Sequence, residues 1–239
     1  MGTVAPIDAV LFVALPYAAL VLFFVGTIVR YRSRPFSYSS LSSQFLENRH
    51  HFWAQVPFHY GILYVLAGHV VAFLFPRAIL GWNAAPARLY LLEATGLAAA
   101  ALAFVGLVNI VLRRAGDARS RVTTTPADWV VYALLVVQIA TGMYVATTAS
   151  WGSSWFASVA SPYLRSLAMF APEPALLVPM PLLFKVHVVG LWVLLGVFPF
   201  TRLVHVLVVP NPYLWRRPQV VRWYGIRRAV PRRGTARAR

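Results

Sequence analysis

Long apolar stretches alternate with shorter polar stretches along this chain, and five of the apolar stretches are long enough to cross a membrane. A transmembrane helix needs about 20 mainly apolar residues. Stretches of this kind cover residues 9–29, 56–75, 89–112, 129–148 and 182–209. The sequence therefore predicts an all-α fold, an integral membrane bundle of five transmembrane helices within residues 1–222, followed by a basic tail at residues 223–239.

Basic residues are concentrated in every second connection between the predicted spans. They are Arg30, Arg32, Arg34 and Arg49 after the first span, Arg113, Arg114, Arg119 and Arg121 after the third, and nine arginines after the fifth. The other connections hold only Arg77, Arg88 and Arg165. Cytoplasmic loops carry the excess of basic residues, so this pattern predicts an outside N-terminus and a cytoplasmic C-terminus. The first span, which no basic residue precedes, is expected to be a membrane anchor and not a signal peptide.

The composition agrees with a multi-pass protein of the cell membrane. Hydrophobic residues make up 59% of the 239 positions and charged residues 12%, too few to coat a soluble globule. The basic residues behind the net charge of +16 are concentrated in the connections predicted to be cytoplasmic and in the tail, where they can contact lipid head groups. We therefore expect membrane lipids as partners and no nucleic acid. With no cysteine, the chain can hold neither an iron–sulfur cluster nor a covalently attached c-type haem.

Four of the six histidines lie inside two of the predicted spans. On regular helices, His59 and His69 of the second span are about 15 Å apart along the axis, and His187 and His205 of the fifth are roughly 27 Å apart and share one face. Because the two spans run in opposite directions, matching depths pair His59 with His205 and His69 with His187. Histidines within membrane spans need polar partners and usually serve a function.

Two imidazoles at each of two levels predict two haem irons. Structural zinc takes four ligands in one tight site, whereas haem iron takes only its axial ligands from the protein. Gly61, Gly68 and Gly190 lie beside the histidines and can leave room for a flat macrocycle. A reading of a different class is a non-redox membrane anchor, or a transporter whose histidines bind a metal ion or relay protons.

The third span contains small residues at intervals of three and four. They are Gly96, Ala100, Ala103 and Gly106. Small residues at such intervals let helix backbones approach closely within lipid. We therefore expect the third span to be a packing partner without direct chemistry.

Several short motifs resemble the gamma subunit of respiratory nitrate reductase, a five-span dihaem cytochrome b. The motifs are SSQ at 42–44, FHYGIL at 58–63, GH at 68–69, TTT at 123–125, VH at 186–187, FPFTRLVH at 198–205 and Pro-x-Pro-Tyr-Leu at 210–214. FPFTRLVH together with FHxGIL…GH is the specific part of this signature. The resemblance extends along nearly the whole chain as far as residue 222.

The resemblance implies two non-covalent b-type haems. His59 and His205 would be the iron ligands of an inner, proximal haem, and His69 and His187 those of an outer, distal haem. A quinol, menaquinol or ubiquinol, would be oxidised near the distal haem. Electrons would pass inward to an iron–sulfur electron-transfer subunit and then to a molybdopterin catalytic subunit, where nitrate is reduced. Related dihaem anchors of sulfite- or heterodisulfide-type reductases are an alternative.

Three basic residues are candidates for further roles. Arg202 and Lys185 lie near predicted haem ligands and can pair with haem propionates, although snorkelling to the membrane surface is an equal alternative. The resemblance suggests a basic residue at the quinol site before the third span, for which Arg88 is the nearest candidate. We expect that replacing Arg88 with alanine slows quinol oxidation and leaves both haem spectra intact.

Overall fold

The computed structural model describes residues 5–34, 37, 50–148 and 152–208, and this part of the chain is helical, with no strand. Five helices within it are long and apolar enough to cross a membrane. They are Pro6–Ser33, Trp53–Leu74, Pro86–Gly116, Pro126–Thr148 and Leu182–Phe200. The predicted all-α bundle of five spans is therefore confirmed. We call these helices the first to fifth spans.

Shorter helices connect the spans. Pro76–Asn83 joins the second span to the third, and Ala118–Val122 joins the third to the fourth. Gly152–Trp155, the π-helical Phe156–Ala160 and Ser161–Ala168 follow one another before the fifth span. The predicted tail at 223–239 and the SSQ and Pro-x-Pro-Tyr-Leu motifs lie outside the described residues.

The second and third spans pack backbone against backbone. A Cβ atom built on Gly106 would lie 2.5 Å from the backbone nitrogen of Phe58, and one built on Gly61 would lie 2.5 Å from the carbonyl oxygen of Ala99. Only glycine allows so close an approach. The expected packing role of the third span is thus observed at Gly106. Gly61, expected to leave room for a macrocycle, instead faces the third span, whereas Gly68 has open space around it.

Side-chain hydrogen bonds close one end of the bundle, which we call the Pro6 end. Pro16 has no N–H to donate to the carbonyl of Phe12, one turn earlier in the first span. The hydroxyl of the fully buried Tyr163 donates to that carbonyl instead, at 2.8 Å. Burial raises the pKa of Tyr163, so its hydroxyl stays protonated and able to donate. Arg165 donates to the carbonyls of Phe73 and Leu74 at the end of the second span.

The fifth span breaks near the opposite end, which we call the Ser33 end. Its α-helix ends at Val197, a 3₁₀ turn covers Phe198–Phe200, Thr201 is extended, and a second 3₁₀ segment covers Arg202–Val208. Pro199 cannot continue the ladder of helical hydrogen bonds. The expectation of one regular helix, with His187 and His205 on the same face, is therefore wrong.

Arg30, in the last turn of the first span, bonds to the backbone at this break. Its Nη1 donates to the carbonyl oxygens of Pro199 at 2.6 Å and Thr201 at 2.7 Å. Carbonyls outside a regular helix lack the partners that the ladder supplies, and leaving them unpaired in a membrane protein is costly. Arg30 thus stabilises the bent path of the segment that carries His205.

Candidate functional site: two transmembrane histidine pairs

The imidazole rings of His69 and His187 lie close together near the Pro6 end. Their ring centroids are 6.4 Å apart and the ring planes are inclined by 35°. An ion bonded to both Nε2 atoms at about 2 Å would place the ring centres roughly 6.3 Å apart, because each centre lies about 1.1 Å beyond its nitrogen. The separation of the two ring centres therefore matches that of two imidazoles bonded to one metal ion.

Backbone hydrogen bonds set the tautomer of His69. Its Nδ1 lies 2.8 Å from the carbonyl oxygen of Val65, one turn earlier in the same helix. A carbonyl oxygen only accepts hydrogen bonds, so Nδ1 carries the proton and Nε2 keeps its lone pair. His59, with Nδ1 2.8 Å from the carbonyl of Gln55, has the same arrangement. Both residues therefore present Nε2 as a potential metal ligand.

His187 obtains the same tautomer from a side chain of another span. The hydroxyl of Thr141, in the fourth span, donates its one proton at 2.7 Å to the carbonyl of Val137. With that proton on the carbonyl, the hydroxyl oxygen accepts from Nδ1 of His187, which lies 3.1 Å away. As a result, Nδ1 is the protonated nitrogen of His187 as well.

Two other residues of the fourth span contact His187. The side-chain amide of Gln138 donates to the carbonyl oxygen of His187 at 3.1 Å. A Cβ atom built on Gly142 would lie 2.9 Å from Cε1 of His187, so the ring rests directly on the backbone of the fourth span. Gln138, Thr141 and Gly142 are not among the residues predicted from the sequence. The available signal was a glutamine and a threonine three residues apart within an apolar span.

The donor set fits an ion that receives further ligands from a cofactor. Within the described ranges 5–34, 37, 50–148 and 152–208, no group of three or more His, Cys, Asp or Glu residues could hold a metal ion. Two imidazoles alone are too few for a structural zinc site. Haem iron, whose porphyrin supplies four nitrogens, takes two axial imidazoles. His69 and His187, beside the open space at Gly68, meet this requirement.

The second predicted pair is not brought together in the same way. His59 is exposed on the second span, and His205 is half-buried in the 3₁₀ segment after the break. Nδ1 of His205 lies 2.6 Å from the carbonyl of Arg202, so its Nε2 also keeps the lone pair. Among the ring contacts of the described residues, none joins His59 to His205. The pairing of these two histidines stays a prediction.

Arg202, in the 3₁₀ segment after the fifth span, bonds to residues at the start of the fourth span. Its Nε lies 3.1 Å from a carboxylate oxygen of the buried Asp128, and its Nη2 donates to the carbonyl of Thr123. Asp128 also accepts from the backbone N–H of Thr125, where the fourth span begins. This ion pair gives Arg202 a structural role at the Ser33 end. Its proposed contact with a haem propionate stays a prediction.

The other two basic candidates lie near the Pro6 end. Lys185 is half-buried in the first turn of the fifth span. The guanidinium of Arg88 lies 5.4 Å from the centre of the Trp82 ring and donates to the carbonyl of Gly81 at 3.2 Å. The indole of Trp82 donates back to the carbonyl of Arg88. Arg88 is therefore held at the surface of the connection between the second and third spans.

A cavity of about 390 Å³ opens at the same end, between the fourth and fifth spans. Its lining is mainly apolar and aromatic. The lining residues are Tyr144, Val145, Thr148, Trp155, Pro181, Leu183 and Phe184. Tyr144 and Phe184 each lie three residues along their helices from Thr141 and His187, respectively. The cavity is therefore about one helical turn from the His187 site.

Residues 8–224 match the family model of the nitrate reductase gamma subunit, which covers most of the chain. The chain belongs to the nitrate reductase gamma subunit family. Since five of its helices are long and apolar enough to cross a membrane, it is a multi-pass membrane subunit. Membership of this family makes it an electron-transfer subunit of an oxidoreductase complex. The predicted resemblance to this family is confirmed.

Individual relatives agree with this assignment. The nitrate reductase gamma chain of Bacillus subtilis is 34% identical over 212 residues, which cover 87% of this chain and 95% of that protein. The respiratory nitrate reductase 1 gamma chain of Escherichia coli is 30% identical over 223 residues, which cover 87% of this chain and 93% of that protein. The nitrate reductase-like protein NarX of Mycobacterium tuberculosis is 31% identical over 209 residues, but this region covers only 32% of that longer protein.

Proposed function

We propose that this chain is the cytochrome b subunit of a respiratory nitrate reductase. It oxidises quinol on the outer side of the cell membrane and delivers electrons to a subunit on the cytoplasmic side. Two b-type haems, each bound by one histidine pair, supply one-electron transfer across the membrane. Family membership supports the general assignment. The spacing of His69 and His187, with ring centroids 6.4 Å apart, is the observation that carries the haem proposal.

Each histidine pair has a distinct place in this proposal. His69 and His187 would hold the distal haem at the Pro6 end, and their Nδ1 hydrogen bonds leave the lone pairs of both Nε2 atoms available to the iron. His59 and His205 hold the proximal haem at the Ser33 end, with both Nδ1 atoms bonded to backbone carbonyls. Orienting hydrogen bonds of this kind are usual for histidine ligands of metals.

The distribution of arginine supports an orientation in which the Pro6 end faces outside. Arg30, Arg32 and Arg34 lie at or just after the last turn of the first span, and Arg113 and Arg114 lie in the last turn of the third. Both of these turns are at the Ser33 end. Basic residues accumulate on the cytoplasmic side of membrane proteins. His59 and His205 would then lie on the side of the soluble partners.

The substrate is a membrane quinol, menaquinol or ubiquinol. Arg88 is the candidate for binding it, because the guanidinium lies at the Pro6 end and is held there by Trp82 and Gly81. The apolar cavity beside the fourth and fifth spans provides a second surface of suitable size on this side of the bundle. Protons released by quinol oxidation would leave on the outer side.

The electron acceptors are an iron–sulfur electron-transfer subunit and, after it, a molybdopterin catalytic subunit that reduces nitrate. Moving an electron inward against an inside-negative potential costs about 2.3 kcal/mol per 100 mV. The proposal therefore expects a higher reduction potential at the proximal haem than at the distal haem. Potentials in the reverse order would remove the downhill path.

The test uses the complex purified from membranes with its partner subunits. The reduced protein should show the α band of a b-type cytochrome, with two haems for each chain, and a menaquinol or ubiquinol analogue should reduce both haems. Nitrate should then reoxidise them. An absence of haem would contradict the cytochrome assignment. Reoxidation by sulfite or a heterodisulfide, and not by nitrate, would favour the alternative class of dihaem anchors.

A further inference from the structure

We propose that Thr141 is a positioning residue for His187, and that its hydroxyl lowers the reduction potential of the haem bound by His69 and His187. This inference rests on the proposed function, since it requires a haem at that pair. Three of the four histidines place Nδ1 against a backbone carbonyl of their own chain segment. For His187 alone, the acceptor is a side chain from another span, and substitution can remove it.

The Thr141 hydroxyl lies within hydrogen-bond distance of two backbone carbonyls and of the imidazole. The carbonyl oxygen of Val137 is 2.7 Å away and that of Gln138 is 3.2 Å away, and either can accept the hydroxyl proton. With its proton on one of these carbonyls, the hydroxyl oxygen accepts from Nδ1–H of His187. Thr141 is 8% exposed, so water does not readily take over this bond. The hydroxyl consequently fixes both the tautomer and the rotation of the ring.

Neighbouring residues keep the ring in contact with the hydroxyl. The backbone at Gly142 lies directly against Cε1 of His187. Gln138 donates to the carbonyl of His187 at 3.1 Å and ties the two spans together at the same level. The position of the ring therefore depends on the fourth span, although its own residue belongs to the fifth.

An acceptor on Nδ1–H makes the imidazole a stronger electron donor through Nε2. A stronger donor stabilises oxidised iron more than reduced iron, so the bond lowers the reduction potential of the haem to which His187 is bound. The proposed direction of electron flow benefits from this effect. A lower potential at the distal haem makes the following transfer to the proximal haem more favourable.

The experiment compares three variants of the intact complex. Thr141→Val removes the hydroxyl and keeps the branched shape, whereas Thr141→Ser keeps the hydroxyl. Thr147→Val is the matched control, because the Thr147 hydroxyl lies in the same span and, among the residues that the structure describes, bonds to the carbonyls of Met143 and Tyr144 and not to a histidine. The midpoint potentials of both haems are measured, together with the electron paramagnetic resonance signals of the oxidised haems.

In Thr141→Val, we expect the midpoint of the distal haem to rise and its resonance signal to shift, while the proximal haem keeps its values. Thr141→Ser should restore the distal midpoint nearly to that of the wild type, and Thr147→Val should leave it unchanged. Loss of the distal haem in Thr141→Val alone, with retention in Thr141→Ser, would also support a positioning hydroxyl.

Two results would overturn this inference while the proposed function stands. One is an unchanged distal midpoint and signal in Thr141→Val protein that contains both haems. The other is an equal change in Thr141→Val and Thr141→Ser, which would trace the effect to side-chain shape and not to the hydroxyl. A wild-type complex without haem would instead contradict the proposed function itself.

Discussion

The two ends of the bundle present their histidines in different ways. At the Pro6 end, His69 and His187 both lie on regular α-helices, and the centroids of their rings are 6.4 Å apart. At the Ser33 end, His205 lies in a 3₁₀ segment beyond a break in the fifth span, and its place depends on contacts with the first and fourth spans. His69 and His187 are thus positioned by helix packing, whereas the position of His205 depends on polar contacts of an irregular segment.

This difference explains which substitutions should affect each end. Side chains on packed helices are sensitive to added volume, because membrane helices in contact leave little space between them. An irregular segment is sensitive to loss of the polar groups that satisfy its backbone. Substitutions that add volume at the Pro6 end, or remove polar donors at the Ser33 end, should therefore affect one site at a time.

The largest effect is expected from Gly142→Val. The added Cβ would lie 2.9 Å from Cε1 of His187, and the branched side chain would displace the ring further. The variant should lose the distal haem and retain the proximal haem, so that the ratio of haem to protein falls by about half. Ala140→Val, at an exposed position of the same span, is the control and should keep both haems. Full haem content in Gly142→Val would show that the ring does not need this contact.

A smaller effect is expected from Arg30→Met at the other end. The change removes donors to the carbonyls of Pro199 and Thr201, and hydrogen bonds from charged groups contribute about 1.5–3 kcal/mol each. The proximal haem should be partly lost on mild detergent treatment, while the distal haem is retained. Arg32→Met removes the same charge from the same end of the first span and serves as the control. Equal loss of both haems would indicate general destabilisation of the bundle.

The smallest effect is expected from Arg88→Ala. The guanidinium is exposed and packs on Trp82 at the start of the third span, so the haem spectra should be unchanged. Quinol oxidation should slow several-fold, because a positively charged donor near the substrate is lost. Arg77→Ala, at an exposed arginine of the connection that precedes the third span, should not slow it. Unchanged turnover in Arg88→Ala would exclude this residue from the quinol site.

The sequence predicts the five spans because long apolar runs have few alternatives in a membrane protein. It also predicts the pairing of depths that places His69 opposite His187. The course of the chain after Val197 could not be predicted in the same way. Pro199 permits a bend, but the 3₁₀ segment that follows depends on Arg30, which is 169 residues away from Pro199 along the chain.

The contacts of the fourth span with His187 and Arg202 could not be predicted from the sequence either. A threonine within a helix usually bonds back to a carbonyl of the preceding turn, as Thr141 does with Val137. Nothing in that local pattern indicates that a histidine 46 residues later donates to the same hydroxyl. Likewise, Arg202 near His205 suggested a haem propionate, whereas its contact with Asp128 arises only when the fourth and fifth spans meet.

The most direct test of the central claim is the haem content of the His69→Ala and His187→Ala complexes, measured beside His205→Ala. Either change at the Pro6 end should remove the same haem signal and leave one haem for each chain, since both imidazoles belong to one site. His205→Ala should remove the other signal. Retention of both haems in His69→Ala or His187→Ala, or loss of different signals in these two variants, would contradict the proposed pairing.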